Sequence, residues 1–150
     1  MQLIILAVGR LRPAFRELCE DYQRRLSRFA TIRETGIRES RKPGAEGRRE
    51  EGSRLRERIP EGSMVVALDR EGKGWTSEQL AHQVGRWQEG GRHVTLVIGG
   101  STGLDPSILD AADTRWSLGP GTLPHELARV VVYEQLYRAF TIMRGMPYHK

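Results

Sequence analysis

The chain carries one cysteine, Cys19, in 150 residues, so no internal disulfide is available to it. At helical spacing beside Leu18 and Tyr22, the thiol is expected to pack rather than react. No apolar run approaches the ~20 residues of a membrane span. The stretch from Leu3 to Val8 lacks a basic leader and ends in Gly9-Arg10, which makes it a buried strand rather than a signal peptide and makes the cytoplasm the expected compartment. A dinucleotide fold needs G-x-G-x-x-G after its first strand, and a P-loop needs G-x-x-x-x-G-K-[ST]. Neither occurs: Gly9-Arg10-Leu11-Arg12-Pro13 follows the first apolar run, and Gly72-Lys73 lacks a glycine at position 67 and a hydroxyl residue at 74. His82, His93, His125 and His149 are scattered, with no Cys/His spacing of the zinc type, so no metal is expected. Repeats and low-complexity segments are also missing.

Hydrophobic residues make up 38% and charged residues 29% of the chain, the balance of a globular protein. The length suits one domain spanning residues 1–150. Net charge is +5, which favours a polyanionic partner because clustered Arg and Lys displace counterions from phosphates. A solvated arginine surface explains such a charge about as well. The arginine-rich segments around Arg10-Arg12, Arg24-Arg25 and Arg38 to Arg49 could hold phosphates, although solvated helix faces and a loop explain them nearly as well.

Periodicity organises the chain as alternating strands and helices. Leu3 to Val8 is a continuous apolar run, and Phe15, Leu18, Tyr22, Leu26 and Phe29 recur at helical spacing after Pro13. Thr31 to Ile37 is β-branched enough for a second strand. Arg38 to Gly52, charged and glycine-containing, is expected to be a mobile loop, with a short helix over Arg54 to Ile59. Met64 to Asp69 forms a third buried strand ending in an acidic turn. Thr76 and Gln79 fit a capping box ahead of the helical face Leu80, Val84 and Trp87, which Gly90-Gly91 stops. Val94 to Ile98 is the fourth strand, and Asp105-Pro106 opens a helix reaching to Asp113. Arg115 to Leu118 is a short fifth strand, and Pro124 begins a long helix ended by Gly145 and Pro147. The expected architecture is α/β, a mostly parallel sheet flanked by helices.

Ligands of open α/β sheets bind beyond the carboxyl ends of strands, which directs attention to the segments after Leu68, Ile98 and Leu118. Gly99-Gly100-Ser101-Thr102-Gly103 follows Ile98. Its glycines allow backbone to approach a ligand closely, or equally make a tight strand-to-helix turn. Gly119-Pro120-Gly121-Thr122-Leu123-Pro124-His125 follows Leu118, and two such loops in one small sheet favour a shared pocket. Side chains added at Gly99 or Gly121 are expected to obstruct a ligand more than the fold. Ser101 sits in Gly-Gly-Ser-Thr-Gly rather than G-x-S-x-G, which weakens a hydrolase reading. Glu134 and Arg138 at i,i+4 have the spacing of a surface ion pair, Tyr148 and His149 stand where chain ends fray, and His125 is as readily a capping or packing residue as a reactive one.

The Gly99–Gly103 turn, Thr122-Leu123-Pro124-His125, Glu134-Gln135-Leu136-Tyr137-Arg138-Ala139-Phe140 and terminal Pro147-Tyr148-His149-Lys150 occur in the order found in the RlmH family, which the chain resembles over essentially its whole length. The first strand ending Ala7-Val8-Gly9 and Trp75 after the third strand add to the likeness. The resemblance implies a SPOUT-type methyltransferase fold with a C-terminal trefoil knot, which the general rule against threaded loops would not suggest. It implies a homodimer that uses S-adenosyl-L-methionine to methylate N3 of a pseudouridine in 23S ribosomal RNA of the large subunit, acting on assembled ribosomes. Cofactor contacts are implied at Leu68, Gly99, Leu118, Gly119, Pro120, Gly121, Thr122 and Leu123. Pro120 lacks an N–H and stands where relatives often carry serine or another small residue. Around the target base the resemblance implies Arg138, Tyr148 and His149, the tail lying near the cofactor loop of the partner. We expect His149 to act as base or proton relay, Arg138 to stabilise the deprotonated ring, and Tyr148 to stack or orient. The main rival is a non-catalytic ribosome-binding factor of the same fold, distinguished by failure to bind the cofactor.

Overall fold

A computed structural model describes residues 1–150. The elements run β1 (Gln2–Val8), α1 (Pro13–Leu26), β2 (Thr31–Ile37), α2 (Gly44–Arg56), β3 (Met64–Gly74), α3 (Ser77–Glu89), β4 (Val94–Ile98), α4 (Pro106–Ala111), β5 (Thr114–Ser117) and α5 (His125–Met143). The five strands form one sheet in the order β2-β1-β4-β3-β5, and every pairing is parallel.

Side chains on a strand point alternately to its two faces, and here both faces are covered, which is why β1 and β4 read as unbroken apolar runs. Leu3, Ile5, Leu96 and Ile98 face a core shared with α1, α3 and α5. Ile4, Leu6, Val8 and Val97 face a second core closed by Leu55 of α2 and Ile108 of α4. The α3 capping box forms with both of its hydrogen bonds. Cys19 is buried, and burial beside Glu34 pushes its thiol up to about 12, consistent with an inert packing role. No helix is long and apolar enough to cross a membrane.

Two expectations fail. The segment Arg38–Gly52 is not a loop throughout: residues from Gly44 onward form α2, and Arg54 to Arg56 are its last turn rather than a separate helix. Its glycines are contact points. A Cβ at Gly47 would lie 2.2 Å from the Lys42 carbonyl oxygen, and one at Gly52 would lie 3.2 Å from Asp105 Cβ, so the residues that disguise the helix let it pack. The third strand also does not end at Asp69. It bulges between Leu68 and Lys73, both opposite Trp116, and resumes pairing with β5. A Cβ at Gly72 would lie 2.6 Å from the Arg115 carbonyl carbon, so only glycine fits there without displacing β5.

α5 packs against both α1 and α3 and is pinned to the sheet through polar groups. The Arg129 guanidinium, 3% exposed, pairs with Glu34 at 3.1 Å and donates to the carbonyls of Val8 and Gly9 at 3.2 and 3.0 Å. Tyr133 donates to the same Glu34 carboxylate, and Gln23 donates to both Glu34 and Tyr133. Burial and the Glu34 charge push the Tyr133 hydroxyl well above its ordinary value, so it remains a donor. The N-terminus of α5 is thereby fixed at the carboxyl end of β1.

Candidate active site

The carboxyl ends of β4 and β5 and the bulge of β3 meet at one cavity of about 840 Å³. Of the eight residues expected to hold a cofactor, Leu68, Gly99, Leu118, Gly119, Gly121, Thr122 and Leu123 line it, and Pro120 does not. A side chain without an N–H donor thus stands aside from the cavity wall.

The two glycine-rich loops are built differently. Gly103 donates its N–H to the Gly100 carbonyl at 3.1 Å, and its φ of +81° favours glycine. A Cβ at Gly99 would lie 2.7 Å from the Gly103 carbonyl carbon. This loop is therefore a tight turn that also faces the cavity, and a substitution at Gly99 strikes protein backbone first. That corrects the expectation that its side chain would disturb a ligand more than the fold. In the second loop, Ser117 Oγ accepts from the Gly119 N–H and donates to the Gly119 carbonyl. The N–H groups of Gly121, Thr122 and Leu123 have no acceptor within the chain, and a Cβ at Gly121 would meet nothing within 4 Å. These are free main-chain donors at a concave wall.

Around them the lining is mixed. Ile98, Leu104, Leu109 and Trp116 supply apolar surface, while Asp69, Arg70 and Arg48 bring charge. Asp69 lies 3.7 Å from Arg115, and Arg70 donates to Thr122 Oγ1 at 2.8 Å, joining the β3 bulge to the loop after β5. Sequence reasoning pointed to the segment after Leu68 without assigning a role to Asp69 or Arg70, and it put Arg48 among arginines that could hold phosphates rather than at this cavity. Arg48 belongs to the unrecognised helix, and Asp69 and Arg70 lie in the bulge taken for a turn. Ser101 makes no hydrogen bond to a histidine, leaving the hydrolase reading without a triad. No cluster of three or more His, Cys, Asp or Glu side chains is arranged to hold a metal ion.

Arg138, Tyr148 and His149 come together, but none of them lines this cavity. Glu134 accepts from Arg138 at 2.6 Å and from the Tyr148 hydroxyl at 3.1 Å. Arg138 meets His149 Nδ1 at 3.2 Å, and His149 Nε2 meets Glu78 at 2.8 Å. Because a guanidinium only donates, Nδ1 accepts and Nε2 carries the proton toward Glu78. Donating to the Glu134 carboxylate raises the Arg138 pKa, and the hydrogen bond from His149 holds the Glu78 carboxyl below its ordinary value. Burial pushes the Tyr148 hydroxyl up. Its ring stands edge-on to Tyr137 with centroids 4.8 Å apart, and the Arg138 guanidinium lies 4.8 Å from the same ring. The tail is therefore docked rather than frayed. The Glu134–Arg138 pair is only about a fifth to a quarter exposed, so it is more than a solvated helix-surface pair. Arg138 comes thirteen residues after His125 on α5, about 20 Å along the axis at 1.5 Å per residue.

The family and the fold are matched by comparison with known proteins. A family model described as "Predicted SPOUT methyltransferase" matches residues 1–149. The chain belongs to the SPOUT methyltransferase family. It is 46% identical over 153 residues to "Ribosomal RNA large subunit methyltransferase H" of Anaeromyxobacter sp. (strain Fw109-5), covering 100% of both chains. It is 50% identical over 153 residues to the protein of that name from Rubrobacter xylanophilus, covering 97% of this chain and 96% of the other. Among solved structures, a probable methylase family protein from Haemophilus influenzae Rd KW20 superposes with a TM-score of 0.56 at 12% identity. That match covers 95% of this chain and 66% of the other, and it speaks to the fold alone. As a SPOUT methyltransferase, the chain has a cavity that joins free main-chain donors to apolar walls.

Proposed function

We propose that this protein transfers a methyl group from S-adenosyl-L-methionine to N3 of a pseudouridine in large-subunit ribosomal RNA, acting in the cytoplasm on assembled ribosomes. The observation that carries this reading is the strand-end cavity in a SPOUT methyltransferase chain whose full-length relatives are named ribosomal RNA methyltransferases. The donor set fits the cofactor. The N–H groups of Gly121, Thr122 and Leu123 would bond its polar edges, and Leu68, Ile98 and Trp116 would pack against adenine. Asp69 lies on the same wall, where a carboxylate favours the positive charge of the sulfonium and amino groups. S-Adenosyl-L-methionine supplies an electrophilic methyl held on positively charged sulfur.

N3 of the ring is an imide nitrogen and must lose a proton to become the nucleophile. His149 takes that proton or relays it, Arg138 stabilises the negative charge that develops on the ring, and Tyr148, held protonated by burial, orients it. His149 Nδ1 is occupied by Arg138 in the docked tail, so the imidazole must turn out of that contact to accept a proton. The axial separation of Arg138 from His125 favours a homodimer in which the tail of a second copy reaches the cofactor cavity. The trefoil knot implied by the family resemblance belongs to the same proposal.

Two measurements test this reading. Calorimetry should detect one S-adenosyl-L-methionine site, and mass spectrometry of 23S ribosomal RNA from a strain lacking the protein should find one N3-methylpseudouridine missing. Absence of cofactor binding leaves a non-catalytic ribosome-binding factor as the better description. Light scattering should give about twice the monomer mass, and full activity from a monomer would remove the composite site.

A further inference from the structure

A second cavity, of about 1000 Å³, opens at the carboxyl ends of β1 and β2. Only one of its twelve lining residues is hydrophobic, so it does not suit an apolar ligand. Its cations differ sharply in what they already hold. Lys42 lies within 3.5 Å of Glu46 and 3.2 Å of Glu50, and Arg54 pairs with Glu50 and donates to the Arg38 carbonyl. By contrast, the guanidinium groups of Arg10, Arg38 and Arg41, which line the same cavity, enter none of the chain's ion pairs or side-chain hydrogen bonds. An arginine without a carboxylate keeps its full fork of N–H donors, the geometry that fits a phosphodiester. His125 is the one residue that lines both this cavity and the cofactor cavity. Its ring stands beside Gly9, where a Cβ would lie 3.5 Å from Nε2.

We propose that this cavity seats the backbone of the RNA substrate: Arg10, Arg38 and Arg41 bind phosphates flanking the target nucleotide, and the target base crosses the His125 wall into the cofactor cavity. The inference rests on the RNA methyltransferase reading and adds where the strand lies. It assigns the otherwise uncommitted arginines around α2 to the substrate, and it gives α2 contact with both cavities, since Arg48 faces the cofactor side. Phosphate contacts fix register without reading sequence, so specificity is left to the base pocket.

The test is methyl transfer to ribosomes purified from a strain lacking the protein, measured between 50 and 200 mM salt. Arg38→Ala/Arg41→Ala is compared with Arg28→Ala/Arg58→Ala, which removes the same charge from exposed positions near the opposite ends of the strands. The first variant should raise KM for ribosomes by about tenfold at physiological salt and lower the salt slope by about 1.4, at 0.7 per single-strand phosphate contact. Its kcat at saturation and its affinity for S-adenosyl-L-methionine should stay within twofold of wild type. The second variant should leave KM within twofold. An Arg38→Lys/Arg41→Lys variant should keep most of the salt slope, which shows that charge in the cavity, rather than a disturbed α2, is responsible. Equal KM changes in the two alanine variants, or none in the first, overturns the assignment of this cavity. If wild-type protein does not methylate these ribosomes at all, the function reading fails and takes the inference with it.

Discussion

Gly121→Val separates ligand binding from folding at the strand-end cavity. The position has no left-handed φ, and nothing lies within 4 Å of the Cβ it would gain. Neither strain nor a clash is expected, so stability should change by no more than about 0.5 kcal/mol. For a domain of this size that is a melting shift of about 2 °C or less. Gly121 lines the cavity next to Thr122 and Leu123, so an added side chain is expected to obstruct a ligand held by their free N–H groups. Calorimetry with S-adenosyl-L-methionine should show an affinity loss of at least about tenfold, equivalent to roughly 1.4 kcal/mol. Gly99→Ala supplies the contrast. Its Cβ would meet the Gly103 backbone at 2.7 Å, an overpacking that costs about 1–3 kcal/mol and lowers the melting temperature by several degrees whether or not cofactor is present. Gly119→Ala, at φ +124°, should be destabilised by strain of similar size. A folded Gly121→Val protein that binds cofactor within twofold of wild type refutes the placement of the cofactor against this loop.

Deleting Tyr148 to Lys150 should lower the melting temperature by a few degrees, because Tyr148 packs on Tyr137 and bonds Glu134, yet leave cofactor affinity within twofold. Single-turnover methylation of ribosomes should fall at least about a hundredfold, and a wild-type rate would shift attention to His125. Arg129→Met removes the cationic partner of Glu34 and two hydrogen bonds to the carbonyls of Val8 and Gly9. It should cost about 3 kcal/mol, near 10 °C in melting temperature, and a loss under 2 °C would show that the network does not hold α5 to the sheet. The Ser107 hydroxyl holds the Asp105 carboxyl below its ordinary value, as the Arg12 N–H does for Glu126. A depressed folded-state pKa contributes stability that is full above the ordinary carboxylate range and lost as pH falls through the folded value. The melting temperature should thus be flat from pH 5 to 8 and fall below about pH 4, with Asp105→Asn flattening that acid limb; an unchanged limb would assign acid sensitivity to other groups.

Strand and helix positions in this protein were legible wherever local chemistry and tertiary packing agree. The β1 and β4 runs announce strands buried on both faces, Thr76 and Gln79 mark the start of α3, and Pro13 and Pro124 stand at helix starts. The two glycine-rich loops could be assigned to strand ends, and their residues do share a cavity, because a parallel sheet delivers all its carboxyl ends to one edge. What the sequence could not decide depends on contacts between distant segments. Gly47 and Gly52 read as loop residues until Lys42 and Asp105 are seen against them, so α2 was hidden, and the arginine-rich segments that could hold phosphates were legible while the cavity joining Arg10 to Arg38 and Arg41 was not. The β3 bulge exists because Gly72 lets the chain pass over Arg115, and it alone brings Asp69 and Arg70 to the cavity wall. Spacing likewise left Glu134–Arg138 as an ordinary helix pair. Tyr148, His149 and Glu78 make it a cluster, since only the folded chain brings residues 78, 134 and 149 within hydrogen-bond reach.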